Sequence, residues 1–389
     1  MSQQPEKRPQ SISRRQFIGR SAGVALSVGG AGSFIAACGG GGTSGSGSGQ
    51  VNVLSWISYV DPTVKKLFEK AHPGIKMNGI AADADQTMFT KLKAGGPAQY
   101  DIVFANAGWA PTYLENDLVE PIDLNDVPSS SQLFSLFRED TDIPFVIEAG
   151  KVGLYPNMWA SLSLTYNTTV AFQPPEPYSW SALWSDEIPK NKVMLQGGGD
   201  DLLAMTGLEQ GVPADKLYAM SGAELKKVED RLRELKPFQL NPNVLPQFRE
   251  AIRTEKAWAG FTSDLSAGFL INKEAKKDIA KSVTPKEGTI GWIDGPQLVK
   301  GAKNKDNALK FLDFFASDKG LLQYLWEEYR FAQCNEDQVN RIIEGGGEDA
   351  NLAKAINADK PEAVKQVTFQ RPADDPEAWA AAWDRVQGA

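Results

Sequence analysis

Few residues of this chain have the chemistry of a reaction. It contains one histidine, His72, and two cysteines, Cys38 and Cys334. A Ser-His-Asp site would need His72, which stands just before Pro73-Gly74, at the end of a predicted helix. The helix dipole favours a weakly basic side chain there without any catalytic role. No Cys/His cluster has metal-ligand spacing, and Gly197-Gly198-Gly199-Asp200-Asp201 lacks the Lys-Ser/Thr of a phosphate loop. No metal or cofactor is expected, and an exported hydrolase is the weaker reading. The better material is aromatic and acidic. Trp56 and Tyr59 lie just past the first predicted strand, Trp109 just past the third, and Trp292 two residues before Asp294. Along an extended stretch, side chains two apart point the same way. Rings cover methylenes and face a positive charge, worth up to about 2 kcal/mol per contact when desolvated. A carboxylate offsets the larger cost of burying an ammonium. Together they suit a small cationic solute with an apolar stem; any one ring by itself serves equally well as core.

Such residues need a scaffold that brings strand ends together, and the chain alternates short apolar runs with amphipathic helices, as α/β domains do. Val51 to Ser55 reads as a strand. Asp61-Pro62 starts a helix, with Asp as cap and Pro at the first helical position, and it stops at His72-Pro73-Gly74. Ile75 to Gly79 reads as a strand, Gln86 to Lys93 as a helix, and Tyr100 to Phe104 as a buried strand, the opening of a doubly wound sheet. Ser221-Gly222-Ala223-Glu224 has the pattern of a capping box. Behind it, Leu225, Val228, Leu232 and Leu235 form one apolar helix face, which Pro237 closes. Asn243 to Lys256, Asn307 to Ala316 and Lys319 to Tyr329 read as helices, and Ala257 to Thr262 as a strand. In open sheets of this kind the ligand crevice lies beyond the carboxyl ends of the strands.

The N-terminal residues read differently. Ser13-Arg14-Arg15-Gln16-Phe17-Ile18-Gly19 resembles a twin-arginine export signal. The glycine-rich apolar stretch from Ser21 to Ala37 is too weakly hydrophobic for a membrane span. Phe34-Ile35-Ala36-Ala37-Cys38-Gly39 resembles a lipobox, in which Cys38 is acylated and becomes the first mature residue. Residues 1–37 are thus expected to be a signal peptide. Residues 38–50 are expected to be a lipid anchor at Cys38 followed by a Gly/Ser tether with a reach of roughly 17–20 Å. The chain would be exported and held on the extracytoplasmic face of a membrane, lying outside the bilayer. Cys334 then has no partner for a disulfide and reads as a small buried apolar residue. The whole chain has 41 basic and 49 acidic residues. Without residues 1–37 the balance is 36 to 48, which disfavours nucleic acid as a partner and weakly favours cationic ligands.

From Val51 to about Asn335 the sequence resembles, in order, the bacterial spermidine/putrescine-binding proteins of ABC importers. The resemblance is carried by Val53-Leu54-Ser55-Trp56-Ile57-Ser58-Tyr59-Val60-Asp61-Pro62, Lys91-Leu92-Lys93-Ala94-Gly95-Gly96, Tyr100-Asp101-Ile102-Val103 and Leu118-Val119-Glu120-Pro121-Ile122-Asp123. It continues through Leu164-Thr165-Tyr166-Asn167, Ser179-Trp180-Ser181-Ala182-Leu183-Trp184, Thr284-Pro285-Lys286-Glu287-Gly288 and Trp292-Ile293-Asp294. It implies an α/β fold like that of the type II periplasmic binding proteins: two lobes, a hinge and a ligand cleft between them. Lobe 1 would hold residues 51–155 and 294–330, and lobe 2 residues 158–293 and 335–389. It implies a monomer that closes on a small cationic solute, with a polyamine as the first choice, and hands it to an ABC permease. An anionic or zwitterionic solute on the same fold is the alternative. The ligand residues it implies are Trp56, Ser58, Tyr59, Asn106, Trp109, Asp201, Asp264, Trp292, Asp294, Phe331 and Gln370. Departures are many. Asn106 stands for a family serine, Gly108 for an aromatic, Gly198 for an aspartate, Ser263 for a tryptophan and Phe331 for a tyrosine.

Overall fold

The computed structural model describes residues 49–235, 239–240, 245–262 and 264–388. The expected signal peptide, the anchor at Cys38, the helix-closing Pro237, Asn243 and Ser263 lie outside them. The first strand starts earlier than the sequence suggests. Strand β1 (Gly49–Trp56) pairs in parallel with β2 (Ile75–Ala82) from Gly49 onward. Gly49 and Gln50 therefore belong to the sheet and not to a tether ending at 50.

Helix α1 (Pro62–Ala71) begins as its sequence dictates. Asp61 accepts from the Thr63 and Val64 amides at 2.7 and 2.9 Å, and its other oxygen accepts from the Tyr324 hydroxyl at 2.6 Å. The cap thus also ties the helix start to the C-terminal part of the lobe. Gly74, at φ 96°, turns the chain into β2, a conformation that glycine adopts without strain. Helix α2 (Asp85–Gly95) leads to β3 (Ile102–Asn106), which sits two residues later than Tyr100 to Phe104. Asp101 stands at the strand's entrance. Its carboxylate accepts from the Asn52 backbone and side-chain N–H groups at 2.8 and 2.9 Å and from the Asn304 amide at 3.0 Å. Its backbone N–H donates to the Asn52 carbonyl at 2.9 Å and its carbonyl accepts from the Val299 N–H at 3.0 Å, so it pins the entrance from both sides.

Strand β4 (Met158–Ser161) leaves this lobe, and the second lobe is built on β5 (Ser163–Asn167), β6 (Val193–Leu195), β7 (Gln239–Leu240), β8 (Ala259–Thr262) and β9 (Ala280–Val283), in the spatial order β7-β6-β8-β5-β9. Around this sheet lie α3 (Gly199–Glu209), α4 (Gly222–Glu234), α5 (Leu245–Arg253) and α6 (Ala267–Ala275). Leu225, Val228, Leu232 and Leu235 are buried as a face. The expected capping box at α4 is absent: Ser221 is the N-cap residue, but its side chain accepts no cap hydrogen bond.

Strand β10 (Thr289–Val299) is buried at all eleven positions and returns to the first lobe. There the order is β11-β4-β10-β3-β1-β2, with β11 spanning Ala332–Gln333. The short strand Val119–Glu120 and β12 (Val367–Phe369) also pair with β10. Helices α7 (Lys305–Ser317) and α8 (Lys319–Tyr329) pack Phe311, Phe314, Phe315, Leu325 and Trp326 into the first core. Leu162 and Ile290 belong to the second core, Ala160 and Trp292 to the first. The antiparallel β4–β10 pair is therefore the crossing between lobes, and the chain crosses again after β12 into α9 (Pro376–Gly388), whose Trp379, Ala382 and Val386 fill the second core. The segment from Val339 to Val364 packs in the first core, whereas the sequence division assigned all of 335–389 to the second lobe. Within that stretch Ala373, Trp379, Ala382 and Val386 are the buried apolar residues that enter the second core. Cys334 is buried, as expected.

Candidate functional site

In the first lobe, β1 and β3 run parallel, so their carboxyl ends face the same edge. Trp56 ends β1, and Ser58 and Tyr59 sit on the short helix Ile57–Val60 that comes next. Asn106 ends β3 and lies directly across from Asp294 of β10. In the second lobe, β6 and β8 are parallel. Asp201 follows β6 in the first turn of α3, and Asp264 follows β8 just before α6. The crossing strands set these two carboxyl edges against one another, and Gln370, just past β12, lies between them.

Asp294 is the most enclosed of the group, with none of its surface exposed. The Tyr59 hydroxyl donates to its Oδ2 at 3.2 Å. The Tyr59 ring stacks on Phe104 at 4.8 Å and meets Phe315 edge-on at 5.7 Å, with Trp56 edge-on at 6.1 Å. Tyr59 is thus both core and site: its ring is held by packing so that its hydroxyl reaches the carboxylate. Trp292 meets Phe331 edge-on at 4.8 Å, and Phe331 stacks with Tyr329 at 6.5 Å. The sequence reading did not single out Tyr329. Burial, then the charges around Tyr324 and Asp61, pushes its hydroxyl far above the ordinary value, while a hydrogen bond with Ser58 opposes this. It therefore stays a neutral donor, and its place at the end of an aromatic-rich helix is the one signal that could have found it.

A polar relay joins the lobes. The Asn106 side chain accepts from the Gly108 N–H at 3.2 Å, closing its own turn, and its amide donates to Gln370 Oε1 at 3.4 Å. Gln370 Nε2 donates to Asp201 Oδ1 at 2.6 Å. Asp201 Oδ2 accepts from the Gly198 N–H at 3.4 Å, so Asp201 also caps its own helix. Asp264 accepts from the Ser266 N–H and hydroxyl at 2.8 and 2.7 Å, which settles both its oxygens at the start of α6. Burial raises the Asp264 pKa, with the Ser266 hydrogen bonds and Arg249 acting against it. Trp109 tilts its ring against Phe89 at 6.0 Å within the first lobe's core. Of the residues inferred from sequence, then, Trp56, Ser58, Tyr59, Trp292, Asp294 and Phe331 form one aromatic-acid group. Asn106, Gln370 and Asp201 form the relay beside it, Asp264 serves its helix, and Trp109 packs. Among the described residues no group of His, Cys, Asp and Glu could hold a metal ion, and no helix is long and apolar enough to cross a membrane.

The chain is similar to known proteins in sequence and in fold. The sequence profile of the bacterial extracellular solute-binding proteins matches residues 63–335. The spermidine/putrescine-binding periplasmic protein of Salmonella typhimurium is 25% identical over 269 residues, covering 67% of this chain and 70% of the relative. The putrescine-binding periplasmic protein SpuD of Pseudomonas aeruginosa is 22% identical over 353 residues, covering 87% and 91%. Among solved structures, the spermidine/putrescine ABC transporter substrate-binding protein PotD of Streptococcus pneumoniae superposes with a TM-score of 0.64 at 21% identity, covering 87% of this chain and 98% of that one. The fold is that of the type II periplasmic binding proteins.

Proposed function

The chain belongs to the bacterial extracellular solute-binding proteins, and from that premise we propose that it captures a small cationic amine between its lobes and delivers it to an ABC permease. The observation that carries this reading is Asp294: a fully enclosed carboxylate whose strand also presents Trp292, and whose Tyr59 partner is held by packed rings. A buried carboxylate beside aromatic faces suits an ammonium with an apolar stem. The first lobe supplies this group and the second lobe supplies Asp201 through Gln370, so a ligand touching both lobes favours the closed arrangement. The chain acts here by binding, as a monomer and without catalysis. Acylation at Cys38 after twin-arginine export would hold it at the membrane surface.

An anion on the same fold is the competing class, and the amides of Gly197 to Gly199 at the start of α3 are where it would sit. Asp201, folded back over that helix start, repels it. Isothermal titration with putrescine, spermidine, amino acids and a phosphonate separates the classes. The relatives' names make the polyamines the first amines to try. Binding of at least one amine and of no anion supports the reading; binding of the phosphonate alone refutes it. Radiolabelled palmitate incorporated by the wild type and not by Cys38→Ser tests the anchor.

A further inference from the structure

We infer that the site takes a solute with a single ammonium group, because the chain's own Gln370 amide occupies the place of a second one. The inference rests on the amine reading above and narrows it. The ligand residues that the family resemblance implies include three carboxylates, Asp294, Asp264 and Asp201; a fourth acid beside them, Asp85, accepts from the Asn106 N–H at 2.9 Å. A buried diamine needs a countercharge at each end, since an unpaired buried ammonium costs more than packing returns. Asp294 is placed to meet one end. Asp264 is turned to its own helix, with both oxygens accepting from Ser266.

Asp201 is the acid available for a second end, and Gln370 is seated on it. The Nε2 donor lies 2.6 Å from Asp201 Oδ1, the contact an ammonium would make. The other oxygen takes the Gly198 N–H, and the helix dipole of α3 favours the negative charge. Asp201 is therefore settled without a ligand cation. Gln370 is no loose side chain that happens to lie there. Its backbone N–H donates to the Gly291 carbonyl at 2.9 Å, continuing the β12–β10 pairing, and its Oε1 accepts from Asn106. Asn106 is the cross-strand partner of Asp294, so the Gln370 side chain runs from beside the first carboxylate to the second. A stem extending from Asp294 toward Asp201 meets it on the way. The backbone of this segment also needs residue 108 to be glycine. A Cβ there would stand 2.4 Å from the Gln370 carbonyl oxygen and 3.0 Å from Arg371 Cβ.

The test compares putrescine with 4-aminobutan-1-ol, which has the same carbon chain and a hydroxyl in place of one ammonium. Titration calorimetry on the full mature chain is expected to show the amino alcohol binding at least as tightly as the diamine. Gln370→Ala removes the amide from Asp201, and the affinity ratio should move toward putrescine by tenfold or more. Gln370→Asn, one methylene shorter, withdraws the amide with less disturbance and should move the ratio the same way. Ligand-free melting curves establish that each variant is folded. A wild type preferring putrescine by tenfold or more overturns the inference, as does a ratio unchanged in both variants. If neither amine binds the wild type while an anion does, the amine reading itself falls and takes this one with it.

Discussion

Replacing Asp294 by Asn keeps the size of the side chain and is expected to cost most of the affinity for a cationic amine. The side chain has no exposed surface, and the Tyr59 hydroxyl donates to it at 3.2 Å. Asn keeps an acceptor for that hydroxyl and removes a buried charge. Without ligand, the variant keeps the volume of the side chain and is expected to stay folded. With ligand, the ammonium loses its partner. Truncating one side of a buried charge pair costs on the order of 2–5 kcal/mol. At 1.4 kcal/mol per factor of ten, this is roughly a 30-fold to several-thousand-fold loss of affinity. Differential scanning fluorimetry on the ligand-free variant and calorimetry with 4-aminobutan-1-ol and putrescine read folding and affinity separately. A variant that melts lower and binds both amines as the wild type does would refute the reasoning. Asp294 would then be a strand-stabilising group, and the cationic ligand would lose its main support.

Other perturbations test neighbouring parts of the structure. Gly108→Ala sets a Cβ against the Gln370 carbonyl oxygen, a backbone atom that cannot swing aside; overpacking of this kind costs about 1–3 kcal/mol, which urea unfolding measures, and an unchanged midpoint means that the 370–371 segment does not pack there. His72, the single histidine, gives one imidazole signal by NMR. Burial against Phe68 and Phe314, then Lys310, lowers its pKa below 6.5. Its contribution to stability is therefore full above 6.5 and lost as pH falls through the lower folded value, and a midpoint at or above 6.5 contradicts this. Asp264 has the opposite sign to a salt-bridged acid: burial raises its pKa above 3.8, so its stability contribution is present below that value and lost as pH rises through the folded one. The difference in unfolding free energy should then move in favour of Asp264→Asn as pH rises above 3.8, and a difference that is flat with pH refutes the burial argument.

Local rules were enough for much of this molecule. The start of α1 was legible because Asp61-Pro62 is a self-contained device: a carboxylate that reaches two amides and a ring that presets the helix. The face of α4 was legible because its period of three and four residues needs only one apolar neighbour. Where a local pattern had a competitor it misled. Ser221 has the spacing of a capping box, and its hydroxyl takes no such bond. Tyr100 and Asp101 read as strand, yet Asp101 is occupied by Asn52 and Asn304, which are distant in the chain.

The sequence by itself determined which residues line up at strand ends, because alternation and helix period are short-range properties that fix where each strand stops and which side chains come next. On that basis it placed Trp56, Tyr59 and Trp109 just past strand ends and set Trp292 and Asp294 on one side of one strand; Asn106 and Asp201 came from the family resemblance. It could not decide what those side chains touch. The tertiary structure packs Trp109 on Phe89, spends Asp264 on Ser266, and lays Gln370 between Asn106 and Asp201, residues 264 and 169 positions away along the chain. It also brings Tyr329 beside Ser58 through the packing of α8, which no spacing announces. Hydrogen bonds act over about 3 Å, so partners hundreds of residues apart are chosen only when the crossing strands have closed two lobes onto one cleft.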